Sequence, residues 1–162
     1  MSKINILQSS VYNKIAAGEV IERPSSVVKE LLDNSIDAGS TDIKISVLGG
    51  GIKSISVKDN GGGISKEDLK TAFLPHATSK ISGEEDLFGI KTLGFRGEAL
   101  ASIAAVSMVE IKSCVSGGDT GALLKLKGGA VTEESDCALS GGTHIKVENL
   151  FFNTPVRLKF LK

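Results

Sequence analysis

PSSVVKELLDNSID, residues 24–37, reads as a helix with both ends marked. Pro24 suits the first helical position, because the N–H it lacks would be unpaired there anyway. Gly39 lies just past the last turn, where a left-handed residue ends a helix cheaply. At about 100° per residue, Val28, Leu31, Leu32, Ser35 and Ile36 share one face, and Glu30, Asn34 and Asp37 the opposite one. Such a polar face is ordinarily just solvated. Asn, however, forms helices poorly and belongs in caps and turns. Here it sits mid-helix, one turn from a carboxylate, and that pair can hold a water and a hard cation side by side.

Downstream of this helix, Ile43, Ile45 and Val47 alternate, as do Ile55 and Val57, with Gly49-Gly50-Gly51 between them. That pattern predicts two strands joined by a turn. A polar helix follows over Lys66 to Phe73, then a loop-like stretch at 75–97 and a second apolar helix at 98–105. Short alternating strands are expected near Val106–Lys112, Ala122–Lys127 and His144–Val147. Helices and strands interleave, which implies layered α/β architecture. GGGI occurs at 49–52 and again at 61–64, which reads as coincident turn chemistry rather than a repeat. Pro155 opens a further helical pattern with no stop signal before Lys162, so the chain is expected to be cut from a longer protein.

Bulk properties narrow the class. The 162 residues suit one domain, and 19 Lys+Arg balance 19 Asp+Glu, so the chain as a whole has no electrostatic pull toward nucleic acid or membranes. No leader-like apolar region is present, and the apolar run Ala99 to Val109 is too short to span a bilayer. A cytoplasmic setting is expected. Cys114 and Cys137 lack the closely spaced partners of a zinc site and read as reduced thiols. The 19 glycines are well above the usual share of about 7% and cluster in short runs, so tight backbone geometry is used repeatedly.

Three further segments bear on chemistry. Asp59-Asn60-Gly61-Gly62-Gly63-Ile64 follows the strand containing Val57. It is no calcium loop, because Gly61 and Gly63 stand where oxygen donors are required, and it carries no dinucleotide fingerprint. An Asp at a strand end beside glycines can accept a hydrogen bond from a base amino group. Gly89-Ile90-Lys91-Thr92-Leu93-Gly94 has phosphate-loop spacing, but Phe95-Arg96 replaces the required Lys-Ser/Thr. Gly94 and Gly97, just before a helix, still allow backbone N–H groups to converge on an anion. Gly141-Gly142-Thr143 is a turn before a strand and little more by itself.

In this order the segments resemble the nucleotide-binding motifs of the GHKL ATPases. Within that group KIAAGEVIERP (14–24), Asp59-Asn60-Gly61, HATSK (76–80), GFRGEAL (94–100) and LFFNTP (150–155) are together similar to the N-terminal part of the MutL family of DNA mismatch repair ATPases, in a bacterial form. The resemblance implies an α/β (α+β) two-layer sandwich of Bergerat type, a mixed β-sheet covered by helices with ATP between the layers. It implies Glu30 as general base, Asn34 as Mg²⁺ ligand and Asp59 as reader of the adenine amino group. Gly61 and Gly63 would line the base pocket, with Thr143 supporting it. Thr78 and Lys80 would approach the phosphates, and Leu93, Gly94, Phe95, Arg96, Gly97, Glu98, Ala99 and Leu100 would form the lid. Implied partners are a second copy on ATP binding, a MutS-type mismatch-recognition protein, and DNA through the full-length dimer. Residues 1–162 would be the N-terminal part of the ATPase domain, cut before its end, without the second and C-terminal dimerisation domains. The alternative reading is a nucleotide-gated scaffold without significant hydrolysis by this piece.

Overall fold

The computed structural model describes residues 21–74, 99–159 and 161. Helix α1 (Pro24–Asp37) has the predicted bounds. Pro24 opens it, and Gly39 leaves it at φ +77° with its N–H donating to Ile36 O. Strands β1 (Ile43–Leu48) and β2 (Ser54–Asp59) form the expected hairpin around a 3-10 turn at Gly49–Gly51. Helix α2 (Lys66–Thr71) starts at a Ser65 cap whose hydroxyl accepts the Asp68 N–H. Helix α3 (Ala99–Ala105) leads into β3 (Met108–Cys114), β4 (Gly121–Lys127), β5 (Ala130–Cys137) and β6 (Gly142–Glu148), and α4 (Pro155–Lys159) follows.

The six strands make one sheet in the order β1-β2-β6-β3-β4-β5. Among the described residues every neighbouring pair is antiparallel, so the expected mixed sheet is corrected to an antiparallel one. The cause is connectivity: β1–β2, β3–β4 and β4–β5 are joined by short turns, which can link only antiparallel neighbours. β6 comes last and is laid between β2 and β3. The two-layer architecture otherwise matches the expectation. Ile55, Val57, Ile111, Leu124, Ile145 and Val147 line the helix-covered face as a buried apolar layer. Burial of a few large aliphatic side chains at about 1.5–3 kcal/mol each makes this layer the main stabilising term.

Two expectations are revised. The inward face of α1 is turned from the predicted one: Val27, Leu31 and Ser35 are buried, whereas Ile36 is 50% exposed. Glu30 and Asn34 are half-buried, because at about 100° per residue they flank Val27 instead of opposing the core. Strand β5 is an addition. Its sequence AVTEESDC carries no apolar alternation, and it is held by pairing with β4 and by the exposed ion pairs Lys66–Asp136 (2.8 Å) and Lys70–Glu134 (3.3 Å) to α2. No helix among the described residues is long and apolar enough to cross a membrane.

Candidate nucleotide site

The site is assembled where α1 ends over the ends of β2, β6 and β3. Asp59 is the last residue of β2, in register with Thr143 on β6 and Ile43 on β1. Directly opposed residues of an antiparallel pair project to the same face, so the Asp59 carboxylate and the Thr143 hydroxyl stand side by side under α1. The Ser35 hydroxyl donates to Asp59 Oδ2 at 2.7 Å, and the Gly61 N–H donates to Oδ1 at 2.9 Å. With one donor on each oxygen, the carboxylate is fixed in orientation and keeps acceptor capacity for a ligand.

Asn60 holds the neighbouring loop. Its Oδ1 accepts the N–H groups of Thr41 and Asp42, both at 2.9 Å, and its Nδ2 donates to Thr41 Oγ1 at 2.8 Å. The glycines after it are there for close approach. At Gly61 a Cβ would lie 2.7 Å from both Ala38 Cβ and Ser40 Oγ. At Gly63, with φ +74°, it would overlap the Cys114 carbonyl. The loop is thus pressed between the end of α1 and the end of β3, stitched by Gly62 N–H to Ala38 O and Ser116 N–H to Gly62 O, each 3.0 Å.

Thr143 is backed by Ser113 on β3, its register partner, at 2.7 Å between hydroxyl oxygens. The same Ser113 oxygen accepts the Ile64 N–H at 2.8 Å. Ser35 and Ser113, 3% and 1% exposed, escaped the sequence reading as site residues. The only signal for Ser35 was a hydroxyl on an otherwise apolar helix face, and for Ser113 there was none.

Of the predicted residues, the structure brings Asp59, Gly61, Gly63 and Thr143 together, with Asn34 beside Ser35 and Glu30 one turn earlier on α1. Ala99 and Leu100 open α3, both half-buried, with Leu100 packed against the core. Thr78, Lys80, Leu93, Gly94, Phe95, Arg96, Gly97 and Glu98 lie outside the described residues. No group of three or more His, Cys, Asp and Glu among the described residues could hold a metal ion.

Residues 21–152 match the family described as histidine kinase-, DNA gyrase B- and HSP90-like ATPase. The chain belongs to this ATPase family. It is 54% identical over 162 residues to the DNA mismatch repair protein MutL of Clostridium perfringens (strain ATCC 13124), covering 100% of this chain and 24% of that protein. With MutL of Staphylococcus aureus (strain Newman) it shares 55% identity over 162 residues, again 100% and 24% of the two chains. Among solved structures, the Aquifex aeolicus MutL ATPase domain complexed with ADP matches with a TM-score of 0.68 and 33% identity, covering 88% of this chain and 49% of that one. The N-terminal domain of a DNA repair protein matches with a TM-score of 0.75 and 35% identity, covering 91% and 41%. The chain thus spans about a quarter of the length of the curated relatives it matches, 24% in both cases. It has the sheet-and-helix layers that this ATPase family is expected to share, and the strand-end Asp59 falls inside the matched span.

Proposed function

We propose that the chain is the ATP-binding and slowly ATP-hydrolysing part of a MutL-type DNA mismatch repair protein. The observation that carries this reading is the Asp59 carboxylate, held by Ser35 and Gly61 and set beside Thr143, directly under the helix that bears Glu30 and Asn34. In this reading Asp59 accepts a hydrogen bond from the adenine amino group, and Thr143 completes the base contact. Asn34 offers its side-chain oxygen to Mg²⁺, and Glu30 orients and deprotonates the water that attacks the γ-phosphate. Bound Mg²⁺ would supply charge neutralisation at the phosphates. Thr78, Lys80 and the segment Leu93–Leu100 would wrap the triphosphate, with backbone N–H groups near Gly94 and Gly97 as donors.

ATP binding would drive association with a second copy and relay mismatch recognition by a MutS-type protein to later repair on DNA in the cytoplasm. Turnover would be slow, because the conformational cycle governs it. The half-buried placement of Glu30 beside the metal-ligand position supports hydrolysis over the alternative of a binding-only scaffold. Titration calorimetry of the chain with Mg²⁺ and ATP, ADP or a non-hydrolysable analogue tests the reading. Saturable binding of all three is expected, and no heat with any of them overturns it.

A further inference from the structure

Resting on the proposed role of Glu30 as general base, we infer that Arg157 is a positioning residue for hydrolysis, which ties down the entry of α1 so that Glu30 keeps its place. Arg157 lies in α4, and its Nη1 donates to the carbonyls of Ile21 and Glu22, at 3.0 and 3.4 Å. Those two residues lead directly into α1, which opens at Pro24. The start of α1 has no side-chain cap, because Arg23 occupies the cap position in extended conformation. Ser, Thr, Asp and Asn are the residues that usually secure such an end from within. Here the tie comes from outside the helix, across more than a hundred residues of sequence.

The tie is anchored to a fixed post. Phe151 is fully buried, and the Arg157 guanidinium carbon lies 5.5 Å from its ring centroid, within cation–π range. Phe151 sits at φ +66°, a conformation that bulky residues rarely adopt, and its N–H donates to Val106 O at 2.6 Å. Asn153 Nδ2 donates to Ala105 O at 2.8 Å. The segment that carries Arg157 is thus bonded to the end of α3, and Ala105 and Val106 belong to the buried core.

The far end of α1 is pinned independently. Ser35 Oγ donates to Asp59 Oδ2 at 2.7 Å, and the Gly62 N–H to Ala38 O at 3.0 Å. Between the two ends Val27 and Leu31 press the helix onto the sheet, but apolar contact is non-directional. Freed at its start, α1 would pivot about Ser35. At about 1.5 Å per residue, Asn34 lies about 1.5 Å along the axis from that pivot and Glu30 about 7.5 Å, so one tilt moves Glu30 roughly five times as far. Loss of the tie therefore leaves the Asn34 position nearly in place and misplaces the base.

The test measures equilibrium binding of ATP with Mg²⁺ and single-turnover hydrolysis on the full chain. Arg157→Gln removes the charge and shortens the reach to Ile21 and Glu22. It is expected to keep ATP affinity and to slow hydrolysis about 10–10² fold, the scale that a misplacement of about 1 Å costs. Arg157→Lys, which keeps a cation near Phe151 and one donor for the carbonyls, should recover part of that rate. In a Glu30→Ala background Arg157→Gln should cost nothing more in rate, because the group it positions is gone. A further loss of the same factor there would mark Arg157 as merely structural and overturn the inference. An equal loss of affinity and rate in Arg157→Gln alone, or a wild-type rate, overturns it as well. Should Arg157→Gln not fold, Arg157→Lys carries the test: kept affinity with slower hydrolysis supports the inference, and wild-type hydrolysis overturns it. A wild-type chain that binds ATP without hydrolysing it sinks the role of Glu30 and this inference together, whereas wild-type hydrolysis unmoved by Arg157→Gln sinks only the latter.

Discussion

At the scale of single residues, the proposed roles separate recognition from chemistry, and substitutions can test them one by one. Asp59→Asn keeps the size of the side chain but replaces one acceptor oxygen with a donor, which would face either the Ser35 hydroxyl or the Gly61 N–H. A loss of roughly 1.5–3 kcal/mol in ATP affinity is expected, measured by calorimetry; undiminished ATP affinity with GTP still rejected would remove Asp59 from base reading. Glu30 and Asn34 lie one turn apart on the half-buried flank of α1, so both can serve one Mg-nucleotide. Glu30→Ala should retain ATP binding and slow hydrolysis by about 10²–10⁴. Asn34→Ala should fail at binding, for want of the metal ligand. Equilibrium binding and single-turnover hydrolysis on both variants decide this, and wild-type hydrolysis by Glu30→Ala would show that the base lies elsewhere.

At the scale of elements, sequence legibility tracked local signals. Helix α1 was readable to the residue because Pro24 and Gly39 punctuate it. Its rotation was not, because apolar residues spread over about half of its circumference, and the Ser35–Asp59 bond holds the Ser35 side inward. Strand β5 was invisible, since an edge strand bonded through its backbone and flanked by ion pairs needs no apolar period. The carboxylate at the end of β2 was legible, while the serines that hold it and Thr143 depend on contacts between elements distant in sequence, helix α1 to β2 for Ser35 and β3 to β6 for Ser113. The face of the sheet turned away from the described helices supplies the pH prediction. There Lys44, Lys58, His144 and Lys112 form one cross-strand row, and His144 Nε2 meets Ser56 Oγ at 2.8 Å. Burial first, then Lys58 and Lys112, lower the His144 pKa below 6.5, outweighing the opposite pull of Glu110. The unfolded chain therefore binds the extra proton at higher pH than the folded one, and folded stability falls as pH drops below about 6.5. Denaturant melts between pH 7.5 and about 5 should show this acid-side loss shrinking in His144→Gln. An identical pH slope in that variant would rule the row out as its source.

At the scale of the whole molecule, protection from exchange should follow the sheet order. β6 is bonded on both sides at the centre, and β1 and β5 are the edges among the described strands. Ile45 and Val47 of β1 are 40% and 47% exposed even though they share a face with buried Val57 and Ile55. Amide hydrogen exchange should be slowest in β6, β2 and β3 and fastest in β1 and β5; β1 amides as slow as those of β6 would mean another segment covers that edge. The position of β6 also has a consequence in time. On the ribosome Asp59 is made roughly 80 residues before Thr143, an interval of about 4–16 s at typical elongation rates. Until β6 emerges, the β1–β2 hairpin and the β3–β4–β5 meander each expose an unpaired inner edge. The Asp59–Thr143 pair does not exist in any nascent chain that ends before that strand. Ligand cannot template the early fold, and a synthesis pause after residue 137 is the moment at which a chaperone or a stray strand would find the most to bind.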